Sequence, residues 1–231
     1  MSQLESDVGG RRPLAALVPT LTKQCWGFMI GSALFALGSA PGFGQWAGAS
    51  TSNLCYFFGA WFFTFAALLQ LLMSGRATVP VSYGSGTMVR AAWLAAATQF
   101  FGTLLFNVST SAAIGAKAIE TEKHLVWTPD AAGSVAFLIS GVFVLVAFAR
   151  TDRFWNPRSI DWWSGQINFL GCVAFGVSAV GAYILANGDA KNDALANGGT
   201  FIGALCFFFA SLIVLPLWRA RAPLQGNDIE E

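Results

Sequence analysis

The chain has 231 residues, 55% of them hydrophobic and 11% charged, with a formal net charge of +1. That balance leaves no basic face for nucleic acid and, among such short polar segments, no soluble domain to hold a nucleotide. Several uncharged apolar runs reach the ~20 residues that a helix needs to cross a bilayer, which is the composition of an integral membrane protein.

In chain order, the predicted spans cover about residues 24–40, 50–73, 91–116, 131–149, 162–186 and 198–218. Pro41-Gly42 ends the first, Pro80 separates the second from the third, and Pro129-Asp130 opens the fourth. Asn156-Pro157 with Ser159 and Asp161 opens the fifth. The expected fold is an all-α six-helix transmembrane bundle over 24–218, flanked by tails over 1–23 and 219–231. Arg11 and Arg12 before an apolar run ending in Gly38, Ser39 and Ala40 also fit a secretory signal peptide. An uncleaved first helix is expected, because its loss would leave five spans and spoil the charge pattern described next.

With the N-terminus inside, ten of the 13 Lys and Arg residues fall on inner segments: Arg11, Arg12, Lys23, Arg76, Arg90, Arg150, Arg153, Arg158, Arg219 and Arg221. Lys117, Lys123 and Lys191 fall outside. The bias puts both termini in the cytoplasm.

Every predicted span repeats one arrangement, a glycine, a phenylalanine four residues on and a small residue three beyond. The sets are Gly31, Phe35, Gly38; Gly59, Phe63, Ala66; Gly102, Phe106, Ser109; Gly133, Phe137, Ser140; Gly171, Phe175, Ser178; and Gly203, Phe207, Ala210. Such spacing lies on one helix face. Small residues let backbones approach where lipid supplies no hydrophobic force between helices, and a ring one turn away fills the groove over a neighbour's glycine. The pattern reads as a repeated packing seam, and an ancestral two-helix repeat would produce it too.

Catalytic groups are scarce. The one histidine, His124, falls in the predicted outer loop ETEKHLVWTPD, with no second histidine for a metal site. Asp130 and Asp161 fall at expected helix starts, where capping or the helix dipole accounts for them. Cys25, Cys55, Cys172 and Cys206 lie within spans without a Cys-x-x-Cys pair and read as packing residues. Tyr83-Gly84-Ser85-Gly86 lacks the lysine of a P-loop. No catalytic, metal or cofactor residue is assigned.

Polar groups inside the spans are amides and hydroxyls, including Gln70 and the run Ser109, Thr110, Ser111. Gln99, Asn107, Gln166 and Asn168 are candidates for a polar pathway, although interhelical hydrogen bonds account for such residues more often. In the inner loop RTDRFWNPRSIDWW, Arg150, Arg153, Trp155, Arg158, Trp162 and Trp163 suit contact with lipid headgroups or a partner protein. Trp26, Trp46, Trp93, Trp127 and Trp218 fall near span ends, as an aromatic belt requires.

The phrases WGFMIGSALFALGSA, WTPDAAGSVAFLIS and WWSGQINFLGCVAFGVSA resemble the Trp, Gly-Ser and Phe patterns of small bacterial YrhK-like multi-pass proteins. Size and layout are also similar to actinobacterial membrane proteins of the LucB type, accessory subunits beside Mce lipid importers. The resemblance implies a non-enzymatic subunit in a bacterial inner membrane, in contact with lipids and with other proteins of a transport complex. No functional residue carries over from it. The residues themselves leave two rivals open: a small carrier or channel for a neutral or lipidic solute, using the amides, and a membrane enzyme acting on lipid through His124.

Overall fold

A computed structural model of the chain describes residues 18–80, 87–116, 118–150 and 155–216. Arg153, Lys117, the stretch 83–86, residues 1–17 of the expected N-terminal tail and all of the expected C-terminal tail lie outside the described residues. The elements are α1 (Leu21–Ser39), α2 (Phe43–Ala47), α3 (Ala49–Met73), β1 (Thr78–Pro80), β2 (Thr87–Val89), α4 (Ala91–Ala113), α5 (Ile119–Thr121), a π-helical segment (Glu122–Trp127), α6 (Thr128–Ala149), α7 (Ile160–Gly181) and α8 (Asp193–Val214). Five stretches are long and apolar enough to cross a membrane: α3, α4, the continuous run Ile119–Ala149, α7 and α8. They mark a membrane-embedded, multi-pass helical protein. α1 has 19 residues, but Lys23 and Gln24 in its first turn leave it less apolar than those five.

Several boundaries differ from expectation. The fourth span does not open at Pro129-Asp130; the helix runs back to Ile119. Proline has no N–H for the carbonyl one turn earlier, and its ring crowds that carbonyl. The wider π winding before it absorbs both problems, with the Thr128 N–H and hydroxyl both directed to the Lys123 carbonyl, the latter at 2.8 Å. ETEKHLVWTPD is therefore helical rather than a loop. The fifth span ends at Gly181, not 186: the Gly181 and Tyr183 carbonyls accept from the Asn192 and Lys191 N–H groups at 2.9 and 2.8 Å, and the absence of a Cβ at Gly181 admits the Ala196 nitrogen of the incoming α8. α8 starts early, at Asp193, where the Asn192 side chain accepts from the Leu195 N–H at 2.9 Å. Between α3 and α4, around the Pro80 that separates these two spans, lies an antiparallel ribbon, β1 against β2. Arg90 fastens its base by donating to the Ser74 carbonyl at 2.9 Å.

Pro41-Gly42 does end α1, with Gly42 in the left-handed region at φ 82°. From there the long helices pair as hairpins, α1 with α3, α4 with α6 and α7 with α8. The hairpins also meet α3 on α4, α6 on α7 and α8 on α1, so the six helices close a ring. One end of its axis carries α2, the π segment and the start of α8; we call it the π end. The opposite end carries the β-ribbon and is called the hairpin end.

The ring's centre is filled by six phenylalanines in two layers of three. Phe35, Phe106 and Phe175 form the layer nearer the π end, with centroids 5.8 to 6.4 Å apart. Phe63, Phe137 and Phe207 form the other, at 5.7 to 6.4 Å. Within each hairpin the two rings meet at 5.1 to 5.4 Å. These are tilted and edge-on contacts, the arrangement that the ring quadrupole favours. Glycine makes it possible: a Cβ on Gly59 would lie 2.7 Å from Phe35, one on Gly102 2.7 Å from Phe137 and one on Gly171 2.8 Å from Phe207. The reciprocal glycines Gly31, Gly133 and Gly203 face Phe63, Phe106 and Phe175, and each would also approach a partner backbone carbonyl at 2.9 to 3.1 Å. The seam thus points to the ring's axis, with three hairpins arranged about it alike.

Candidate functional site

Aligning the hairpins on their second glycines, Gly59, Gly133 and Gly203, brings Tyr56, Asp130 and Thr200 into register, with Asn53, Trp127 and Asn197 three residues earlier. All six line one cavity of about 270 Å³ on the π side of the phenylalanine layers, floored by Phe35 and Phe175. Ser109 and Ser178, the small residues of the seam in α4 and α7, line it as well. The chamber follows from the repeat: toward the π end, the same helix face that carries the packing residues runs out of phenylalanine and presents polar groups to the axis. A wider recess of about 680 Å³ beside α2 shares Asn53, Tyr56, Asp193 and Asn197 with it and opens it toward the surface.

Hydrogen bonds tie the chamber's walls together. The Trp127 indole N–H donates to the Ala179 carbonyl at 2.9 Å, anchoring the π segment to the end of α7. Asn53 donates to the Ala113 carbonyl at 3.0 Å, joining α3 to α4. The Ser178 hydroxyl lies 2.6 Å from the Ala196 carbonyl and 2.7 Å from the Thr200 hydroxyl, joining α7 to α8. Two groups are left over. The Ser134 hydroxyl, on a residue 1% exposed, has no partner among the described residues. The Asp130 carboxylate is shown with no hydrogen bond or ion pair there either, and the lining residues include two carboxylates, Asp130 and Asp193, but no Lys, Arg or His.

A second cavity, of about 230 Å³, lies at the hairpin end. It is lined by Phe28, Gln99 and Asn168, which precede the first glycine of each hairpin by three residues, and by Gln70, Val144 and Val214 from the second helices. The Gln70 side-chain carbonyl is buried without a partner among the described residues, and the Ser140 hydroxyl donates to the Ala95 carbonyl at 2.8 Å beside Gln99.

Of the residues proposed for a polar pathway, the structure brings Gln99 and Asn168 together in this hairpin-end chamber and leaves the other two apart. Asn107 donates to the Thr64 hydroxyl at 2.8 Å, between α4 and α3, and Gln166 lines neither chamber. Among the proposed contact residues, Arg150 and Arg158 are exposed, and so are Trp155 and Trp163, at 76% and 48%. Trp162 is not available for contact: it is 5% exposed, with Trp155 and Trp163 edge-on against it at 5.3 and 5.0 Å. His124 sits on the exposed side of the π segment, 3.1 Å from Glu120. Tyr56, Asp130, Ser134 and Trp127 escaped the sequence reading as a site. Asp130 read as a helix start because of the adjacent proline, Trp127 read as part of an aromatic belt, and Tyr56 and Ser134 carried no signal until the hairpins were set about one axis. Comparison of the chain with protein-family models, with curated proteins and with solved structures finds no match.

Proposed function

We propose that the chain is a non-enzymatic, six-span protein of a bacterial inner membrane, acting as an accessory or stabilising subunit of a larger membrane complex, of the kind that imports lipids. The observation that carries this reading is the locked core. Each phenylalanine is held against a glycine of its own hairpin, and the six rings then close on one another across the axis, so the centre is packed solid and the protein's work falls to its surfaces. α1 counts as the sixth span because it closes the ring and contributes Phe35 to the core. A cytoplasmic hairpin end is supported by Lys23, Arg76, Arg90, Arg150 and Arg158, which all fall there, whereas Lys123 and Lys191 fall at the π end. Exposed Trp155 and Trp163 beside Arg150 and Arg158 suit a headgroup or partner surface.

Mild affinity purification from the host membrane, with mass spectrometry of proteins and lipids, tests the role. Stoichiometric transporter subunits whose level falls when this chain is deleted are the expected result; recovery of the chain alone, with partner levels unchanged, rejects it. Single-cysteine labelling in the β-ribbon and at Glu120 tests the sidedness. A small carrier is the second reading, favoured by the two polar chambers on one axis on opposite sides of the phenylalanine layers. Under it, Asn168→Leu stops flux in proteoliposomes, whereas Asn107→Leu alters only stability.

A further inference from the structure

We propose that the π-end chamber binds a small organic ammonium ion, a primary amine of a few heavy atoms, with its charged head between Asp130 and Ser134. This concerns occupancy of one cavity and does not depend on the accessory role, so a failed co-purification leaves it standing. An ionisable side chain within a membrane segment is costly and is held there by a partner or a ligand. Asp130 lies well inside the continuous helix Ile119–Ala149 and lines a chamber in which, among the described residues, no cation stands and no ion pair to it forms.

The second observation is independent of the carboxylate. Ser134, 1% exposed and one turn further along the same helix, lines the chamber with its hydroxyl unsatisfied. A buried polar atom left without a partner is destabilising, and a donor entering the chamber would satisfy it. On α4, Ser109 is 3% exposed and also lines the chamber, and its hydroxyl makes no hydrogen bond among the described residues. An ammonium group brings three N–H donors, and carboxylate plus two hydroxyls supply three acceptors. A π winding adjoins the chamber through Trp127, and such winding is frequent at functional sites.

Size and wall chemistry select an organic cation over a bare metal ion. The cavity of about 270 Å³ is several times a water's share of ~30 Å³. It falls just below the ~300–1,000 Å³ of drug-sized pockets. Beyond the polar groups its walls are Phe35, Tyr56, Trp127 and Phe175, rings that accept a cation's apolar body and its charge. A hard metal ion calls for a fuller oxygen shell than one carboxylate and scattered hydroxyls.

The test uses the purified full chain in lipid nanodiscs, with calorimetry and thermal unfolding against ethanolamine as probe, and with ethylene glycol and sodium chloride as controls. Saturable binding of ethanolamine alone is expected. Asp130→Asn should weaken it by about tenfold or more and Ser134→Ala by a smaller factor, while Glu120→Gln on the exposed surface leaves it unchanged. Where Asp130→Asn does not yield folded protein, Ser134→Leu, which fills the chamber, must abolish binding. Equal binding of ethylene glycol, saturation by sodium chloride, full affinity in Asp130→Asn, or no binding of ethanolamine at about 10 mM overturns the proposal.

Discussion

The two chambers are made by the same three hairpins at corresponding register positions, yet the π-end one presents two carboxylates, Asp130 and Asp193, among four aromatic rings, whereas the hairpin-end one presents four amides, Gln24, Gln70, Gln99 and Asn168, with a single carboxylate, Asp161. At the π end the equivalent residues are Tyr56, Asp130 and Thr200; at the hairpin end they are Phe28, Gln99 and Asn168. Between the chambers the equivalents are glycine and phenylalanine in all three hairpins. Positions that must pack stay alike within the chain, because each ring is the shape its facing glycine requires. Positions that face open space are released from that constraint and diverge. The divergence is where a ligand-specific function can reside.

The comparison breaks most severely where the shared core is attacked. Gly203→Val drives a branched side chain into the Phe175 ring and the Gly171 carbonyl. It should cost about 3 kcal/mol or more and prevent recovery of folded protein. Next comes Phe137→Ala, which removes a ring that touches Phe63, Phe106, Phe175 and Phe207 and is 1% exposed. A loss of about 3–5 kcal/mol is expected, read as earlier labelling of buried Cys25 and Cys172 by a thiol-reactive dye on heating.

Smaller changes separate the two ends. At the π end, Ser178→Ala deletes the link between α7 and α8 and should destabilise by about 1 kcal/mol in the same assay. At the hairpin end, Gln70→Leu replaces a carbonyl that has no partner among the described residues, so the expected shift is of opposite sign, a gain of up to about 1 kcal/mol. A loss there would mean that the amide is engaged in the membrane. Gly176→Ala, whose added methyl group meets nothing within 4 Å, should stay within about 0.5 kcal/mol of the parent protein and so separates packing glycines from incidental ones.

Much of the architecture was written in local pattern. Apolar run length marks the helices, and the Gly-Phe spacing marks the face of each that packs, since both follow from 3.6 residues per turn and from the absence of room for a Cβ. Proline misled at one place: Pro129 reads as a helix start from sequence, but winding can absorb it, and the π turn that does so puts Asp130 inside the helix instead of at its end. Trp162 misled differently, because a tryptophan among arginines looks like a surface anchor until Trp155 and Trp163 are found against it.

By itself, then, the sequence determined that this is a helical membrane bundle with a glycine–phenylalanine seam on every long helix. Tertiary structure alone decided that the six seams converge on one axis, and that Asp130 and Ser134 share a chamber while Asn107 and Asn168 do not. The physical reason is that periodicity assigns a face to a helix but not a neighbour to that face. Which faces meet is settled only when ring and glycine from different segments of the chain fit together.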